Sequence, residues 1–387
     1  MPALRLPAAA GTLDVYQLVG TPIARARPAR PFNRLALAAA HIVVNPLSDA
    51  DPSGAPDIDW ERTIAFRHHL LDLGLGVAEA MDTAQRGMGL TWSGAYELIR
   101  RTTEATAGRP DAVIYSGAGT DHLNPTDARS TDDVVRAYLL QLHAVQKLGG
   151  RVILMASRAL ARVAKSPLDY VTVYSRVLAE AARPVILHWL GEIFDPALAG
   201  YWGHTDFRDT MPTCLKVIEA NAARIAGIKI SLLDAGKEIV LRRRLPAGVR
   251  MYTGDDFNYP DLIAGDAHGH SEALLGIFDP IAPAASAGLA ALAVGDTAKF
   301  HSILQPTVPL SRLIFRSPTQ YYKTGVVFLA WLNGHQEHFI MAGGQQSMRS
   351  LSYFASTFKL ADQAGLLADP DRAAAKMRTL LALYGVD

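Results

Sequence analysis

A single cysteine, Cys214, in 387 residues leaves no partner for an intrachain disulfide, which points to a reducing, cytoplasmic setting. No apolar run approaches the length of a membrane span, and the first ten residues carry no signal-peptide core, so no membrane partner is expected. Charge of one sign is not in excess either. With 38 Lys and Arg against 37 Asp and Glu, the net charge of +1 gives no electrostatic footprint for nucleic acid. Gly/Ser-rich linkers, short-period repeats and low-complexity tracts are also missing. What remains, 49% apolar and 19% charged residues, has the balance of a globular enzyme with small-molecule partners.

The apolar residues are organised. From Leu35 onward eight short apolar runs, at 35–44, 76–80, 112–115, 151–155, 184–188, 226–230, 249–253 and 273–278, alternate with helical patterns such as 60–73, 92–103, 131–148, 167–181 and 211–221. Strand and helix repeated eight times over roughly 250 residues is the count and size of an α/β fold of the (β/α)8 TIM-barrel type. The barrel is expected over 35–305, preceded by an N-terminal arm over 1–34 in which Arg25, Arg27, Pro28, Arg30 and Pro31 describe a solvated, extended lead-in. Beyond Pro306, Pro309 and Pro318 the pattern becomes helical at 321–332, 345–358 and 370–384, a C-terminal extension over 306–387. Lys323, at the start of the first of these helices, reads as a surface residue.

One residue interrupts this regularity. Of nine lysines, only Lys229 sits inside a short β-branched strand segment, Ala226-Gly-Ile-Lys-Ile-Ser-Leu-Leu233. Desolvating an ammonium is costly unless it is paired or loses its proton. Two readings follow: a lysine paired with a carboxylate at a strand end, or a neutral amine that attacks carbonyls to form a Schiff base.

Barrel active sites are built where the strands end, and several ends here are polar. They carry Glu79, Asp82, Thr83, Gln85 and Arg86 after the second strand, Gly119, Asp121 and His122 after the third, His188 on the fifth, and Asp255 and Asp256 after the seventh. His268 and His270 precede the eighth. Carboxylates and histidines from separate strand ends could hold a divalent metal, with Glu79, Asp82, His122 and His270 as the candidate ligands of a metal-dependent sugar isomerase, epimerase or class II aldolase. A catalytically silent, sugar-binding barrel is the third possibility. Adjacent Asp255 and Asp256 point in different directions in an extended chain, so one is expected to cap or support the following turn.

The chain resembles the dihydrodipicolinate synthase and N-acetylneuraminate lyase family of class I aldolase-like enzymes, from about Ile42 to the C-terminus, as a divergent branch. The resemblance rests on Pro184-Val-Ile-Leu-His188, Gly227-Ile-Lys229, Thr253-Gly-Asp-Asp256 and Gly117-Ala-Gly119, in family order. It implies a TIM barrel, a lyase or aldolase that needs no cofactor beyond a covalent lysine imine, and Lys229 as that lysine. His188 stands where the family places a proton-shuttling tyrosine, and a histidine can carry general acid/base work. The family loop Gly-Thr-Thr-Gly-Glu, which holds a 2-oxo-acid carboxylate, aligns with Asp82-Thr83-Ala84-Gln85-Arg86, so one threonine of the pair is lost. Arg86 is the candidate anion ligand, and Asp82 and Gln85 suit sugar hydroxyls, giving a ketone, 2-oxo acid or keto-sugar as substrate. Gly119, Asp255 and Asp256 complete the implied substrate site. Between His188 and Lys229 a long loop with Asp195, Tyr201, Trp202, His204, Asp206 and Arg208 either overhangs the barrel mouth or serves as a surface loop or subunit contact. The family's appended helices imply a homodimer or homotetramer, with the apolar residues 326–332 as contact material.

Overall fold

In the computed structural model, residues 2–8 and 11–386 are described; Met1, Ala9 and Ala10 of the expected arm and Asp387 of the extension lie outside the described residues. All eight expected runs form parallel strands. These are β3 (Ala36–Ala39), β4 (Gly76–Glu79), β5 (Ile114–Ala118), β6 (Arg151–Leu154), β7 (Val185–Leu190), β8 (Ile225–Ser231), β9 (Arg250–Thr253) and β10 (Glu272–Leu275). They close in sequence order, with β10 pairing β3, into a (β/α)8 TIM barrel. Parallel neighbours require crossovers, which is why helices alternate with the strands and why the strands read as continuous apolar runs. The third strand begins two residues later than expected because the Ala112 amide is held by the Arg109 carbonyl in a turn at 3.1 Å.

The barrel lumen is filled, not open. Leu37, Ala39, Ala78, Tyr115, Ile153, Ile186, Tyr252 and Leu274 pack together inside it, and burying each large aliphatic side chain contributes about 1.5–3 kcal/mol. Gly227 belongs to this packing. A Cβ there would lie 2.5 Å from the Tyr252 ring, so the ring occupies the space a side chain would take, one inward position before Lys229.

The chain folds as two compact units: one takes in 34–40 and 76–276 and holds all eight barrel strands, and the other gathers 1–33, 41–75 and 277–387. In the second unit β1 (Ala3–Pro7) and β2 (Leu13–Gln17) form an antiparallel pair. The segment that follows is tied to the helix Leu351–Gln363 by one buried carboxylate. Asp362 accepts from the Tyr16 hydroxyl at 2.7 Å and from the Val19 and Gly20 amides at 2.8 and 3.1 Å.

Helices are present where expected at Tyr322–Leu332 and Pro370–Leu383. The one expected from Gln345 instead starts at Leu351, because the Ser350 hydroxyl accepts from the Tyr353 amide and caps it. Two corrections concern Tyr322–Leu332. Every residue of this helix is buried, so Lys323 is not a surface residue; its ammonium donates to the Gln320 carbonyl at 2.9 Å. The apolar residues 326–332 are likewise consumed inside the chain and not left for a subunit contact. Among the described residues no helix is long and apolar enough to cross a membrane.

Candidate active site

Strand alternation places Gly227, Lys229 and Ser231 of β8 on one face, and the pairing of β7 with β8 sets His188 directly beside Lys229. Both side chains are buried, at 1% and 7% exposure. Lys229 forms no hydrogen bond or ion pair with a described residue. Burial lowers its proton affinity, opposed by the negative charges of Asp256 and Asp82. His188 is pushed well below the usual imidazole value by burial first and by the neighbouring Lys229 second. Its Nε2 sits 3.1 Å from the Ser231 hydroxyl, and its Nδ1 is buried without a partner.

Gly254, after β9, closes the other side. A Cβ there would come within 2.7 Å of Lys229 Cε and 2.3 Å of Ser231 Oγ. The glycine of Thr253-Gly-Asp-Asp256 therefore leaves room for the lysine stem. The two aspartates divide the remaining work. Asp255 closes the turn, its Oδ1 accepting from the Phe257 and Asn258 amides at 2.8 and 3.0 Å, while buried Asp256 acts on the Lys229 ammonium through its charge.

A cavity of about 190 Å³ opens at these strand ends, smaller than the usual pocket for a drug-sized ligand. Its wall includes His188, Asp82, Arg86, Gly119, Asp121, Arg158 and Asp195, with Leu123, Pro125, Met155, Leu190 and Leu198 as the apolar part. Lys229 is not on this wall, but its strand neighbour His188 and its electrostatic neighbour Asp82 are. Thr83 and Gln85 are not on it either. Both are buried in a tight turn, Gln85 with φ 63°, and the Gln85 amide donates to the Met88 carbonyl at 3.3 Å.

Arg86 requires a correction. Its Nε and Nη2 hold Asp121 at 3.0 and 2.6 Å, Nη1 donates to the Gly117 and Ala80 carbonyls at 2.6 and 3.3 Å, and Nη2 also donates to Gln141. A guanidinium has five N–H donors, and all five are spent on the protein. Arg86 thus braces the strand-end loops and has no fork to offer a substrate anion. Burial would raise the Asp121 carboxyl, but the Arg86 charge and hydrogen bonds override it and hold the group below its ordinary range.

The alternative metal ligands do not converge. Glu79 bonds the Ala80 amide at 2.9 Å and the Thr102 hydroxyl at 2.7 Å, on the helix side of β4. His122 is exposed with Nδ1 2.8 Å from the Gln141 amide, and His270 precedes β10 at the opposite end of that strand from the cavity. Among the described residues no three His, Cys, Asp or Glu side chains are grouped to hold a metal ion.

The long loop after β7 meets its expectation in part: Asp195 and Leu198 stand on the cavity wall, whereas the aromatic residues do not. Tyr201 and Trp202 are buried, Tyr201 bonded to the Tyr174 hydroxyl at 2.8 Å and Trp202 packed on Tyr174 at 5.0 Å. They are part of the packing beneath the loop and not a roof over the mouth. Asp195 ion-pairs with Arg158 at 2.5 Å, Asp206 caps the helix Phe207–Ala220 through the exposed Arg208 amide, and His204 lines a separate crevice of about 280 Å³ with Trp189 and Phe207. Ser231 and Gln141 were not singled out from the sequence. Ser231 lies two residues after Lys229 and so on the same face, a signal that alternation carried; Gln141 reads only as a polar residue in a helix.

The model of the family described as protein of unknown function (DUF993) matches residues 4–386, and the chain belongs to that family. No curated protein matches its sequence. Among solved structures it is similar to dihydrodipicolinate synthase from Aquifex aeolicus, with a TM-score of 0.60 and 13% identity over 91% of this chain and 98% of that one. The synthase from Thermotoga maritima gives 0.63 and 15% over 86% and 100%. YagE, a prophage protein of the dihydrodipicolinic acid synthase family from E. coli K12 in complex with pyruvate, gives 0.62 and 13% over 92% and 99%. At these identities the likeness is one of fold.

Proposed function

We propose that this DUF993 protein is a Schiff-base-forming lyase or aldolase that acts on a small carbonyl compound through Lys229. The observation that carries the reading is a buried lysine with no ion pair to a described residue, its amine pushed towards neutrality, beside a buried histidine at the strand ends of a barrel. The fold shared with dihydrodipicolinate synthases supports it. The neutral Nζ adds to the substrate carbonyl carbon, the carbonyl oxygen leaves as water, and an iminium forms. For C–C cleavage the electrons of that bond flow into the C=N bond to give an enamine, which is then protonated on carbon; for C–O cleavage the α C–H electrons form the enamine, which expels the oxygen on the next carbon as water. In either case water later adds to the iminium carbon and releases product with the free amine. The lysine itself supplies the electron sink, and Asp82 and Asp256 offset the iminium charge. His188, neutral at working pH, takes and returns the proton at Nδ1 while Ser231 holds Nε2.

Incubation with a panel of ketones, keto-sugars and 2-oxo acids in the presence of borohydride is expected to reduce the imine to a stable secondary amine, located at Lys229 by peptide mass mapping. A productive substrate that leaves no adduct would sink the reading. His188→Asn is expected to lower kcat by about 10²–10⁴-fold, the usual share of general acid/base catalysis, while the Lys229 adduct still forms. Unchanged turnover in this variant would remove His188 from the mechanism.

A further inference from the structure

Beyond the reaction class, the cavity wall speaks to which carbonyl compound is taken. Three carboxylates, Asp82, Asp121 and Asp195, face it with two guanidiniums, Arg86 and Arg158. Each arginine is already matched: Arg86 to Asp121 at 2.6 Å with all five donors used, and Arg158 to Asp195 at 2.5 Å. Asp82 is left over. It is half-buried and its carboxylate takes no hydrogen bond from a described residue. Other donors on the wall are occupied too, with the Gly119 amide given to Gln141 at 2.6 Å and the Thr120 hydroxyl shared with Ser157 at 2.6 Å. The buried side of the cavity therefore presents the acceptor of Asp82, while the Arg158 donors not given to Asp195, on its two Nη groups, lie at the half-exposed rim. A buried and unpartnered Nδ1 of His188 on the same wall marks the reacting end.

Resting on the Schiff-base reading, we infer that the cavity selects an uncharged carbonyl compound bearing a hydroxyl next to its carbonyl, with Asp82 accepting from that hydroxyl, and discriminates against 2-oxo acids. A hydroxyl brings a donor that Asp82 can accept, whereas a carboxylate in the same place would be repelled by that carboxylate, with the Arg158 charge out at the rim. Arg158 is half-exposed and held by Asp195, so it compensates at the rim. Lys229 offers no fixed positive charge once it is an amine that attacks, and the iminium it becomes is already faced by Asp82 and Asp256.

Dihydroxyacetone and pyruvate separate the two chemistries at equal size. Each is titrated against the full-length protein with borohydride, and the trapped fraction at Lys229 is read by intact and peptide mass. In the wild type the half-saturating concentration is expected to be at least tenfold lower for dihydroxyacetone than for pyruvate. In Asp82→Asn, and in Asp82→Ser as a second variant, that ratio is expected to shrink at least tenfold because the unmatched charge is gone. Pyruvate trapped as well as dihydroxyacetone in the wild type overturns the inference and leaves the Schiff base standing, as does a preference untouched by both Asp82 variants. No adduct with either compound or with any other carbonyl overturns the Schiff base and the inference with it.

Discussion

Lys229→Met is expected to lose turnover by a factor on the order of 10⁴ or more, as removal of a covalent nucleophile does, and at the same time to fold more stably. The two effects have one origin. The amine sits in a site that is 7% exposed, with no ion pair to a described residue, and even replacing a buried ion pair by apolar side chains of similar volume is often neutral or stabilises by about 1–4 kcal/mol. The sign of the pH dependence follows from the lowered proton affinity. Above the ordinary lysine value of 10.5 the amine is neutral in both folded and unfolded chains, so the variant and the wild type differ only in packing. As pH falls below that value the unfolded chain takes up the proton more readily than the folded one, and folding of the wild type is penalised until the folded amine also protonates. The stability gap between variant and wild type should therefore widen on going from pH 10.5 towards neutrality. Urea midpoints of both proteins at several pH values measure it. A variant that keeps a tenth of wild-type turnover, or a gap that narrows with falling pH, contradicts the account.

Arg86→Met is expected to do the reverse, costing stability first. The Arg86 side chain is 1% exposed and its carboxylate partner 28% exposed, and removing one member of a buried pair costs about 3–5 kcal/mol because the other is left uncompensated. Here the loss also removes the guanidinium donors to the Gln141 side chain and to the Gly117 and Ala80 carbonyls. A double-mutant cycle with Asp121→Asn in urea unfolding should show a coupling of about 1–3 kcal/mol. Were Arg86 a substrate anchor, its removal would instead leave the unfolding midpoint unchanged and raise KM alone.

The contrast between these two residues shows how far the sequence could be followed. Lys229 stood out because a strand pattern has a period of two and little tolerance for charge, so its anomaly is local and visible in eight residues. His188 was placed by the same logic, since its strand is apolar up to its last turn. Gly254 belonged to a short motif, but its reason, the approach of Lys229 Cε, is a distance between two strands. Arg86 looked identical to an anion ligand. Whether a guanidinium is free depends on five partners, and Asp121 and Gln141 come from other elements of the barrel. Tyr201 and Trp202 were misjudged for a related reason: aromatic residues in a long loop serve equally to cover a mouth or to fill the space beneath it, and Tyr170 and Tyr174 of the preceding helix decided for the second. The charges named as metal ligands sit near strand ends in the sequence but do not meet, Glu79 turning to Thr102 and His270 lying at the opposite end of its strand from the cavity.

The eight strands, their order and the inward lysine were written in the chain because they follow from alternation and from the cost of burying an amine, both of which act over a few residues. Which cations the cavity keeps free, which aromatic rings reach it and which carboxylate is left without an arginine were set by contacts between residues on different elements, such as Arg86 with Asp121 and Gln141. Such contacts obey hydrogen-bond inventory and packing, and these are properties of the closed barrel that no local pattern contains.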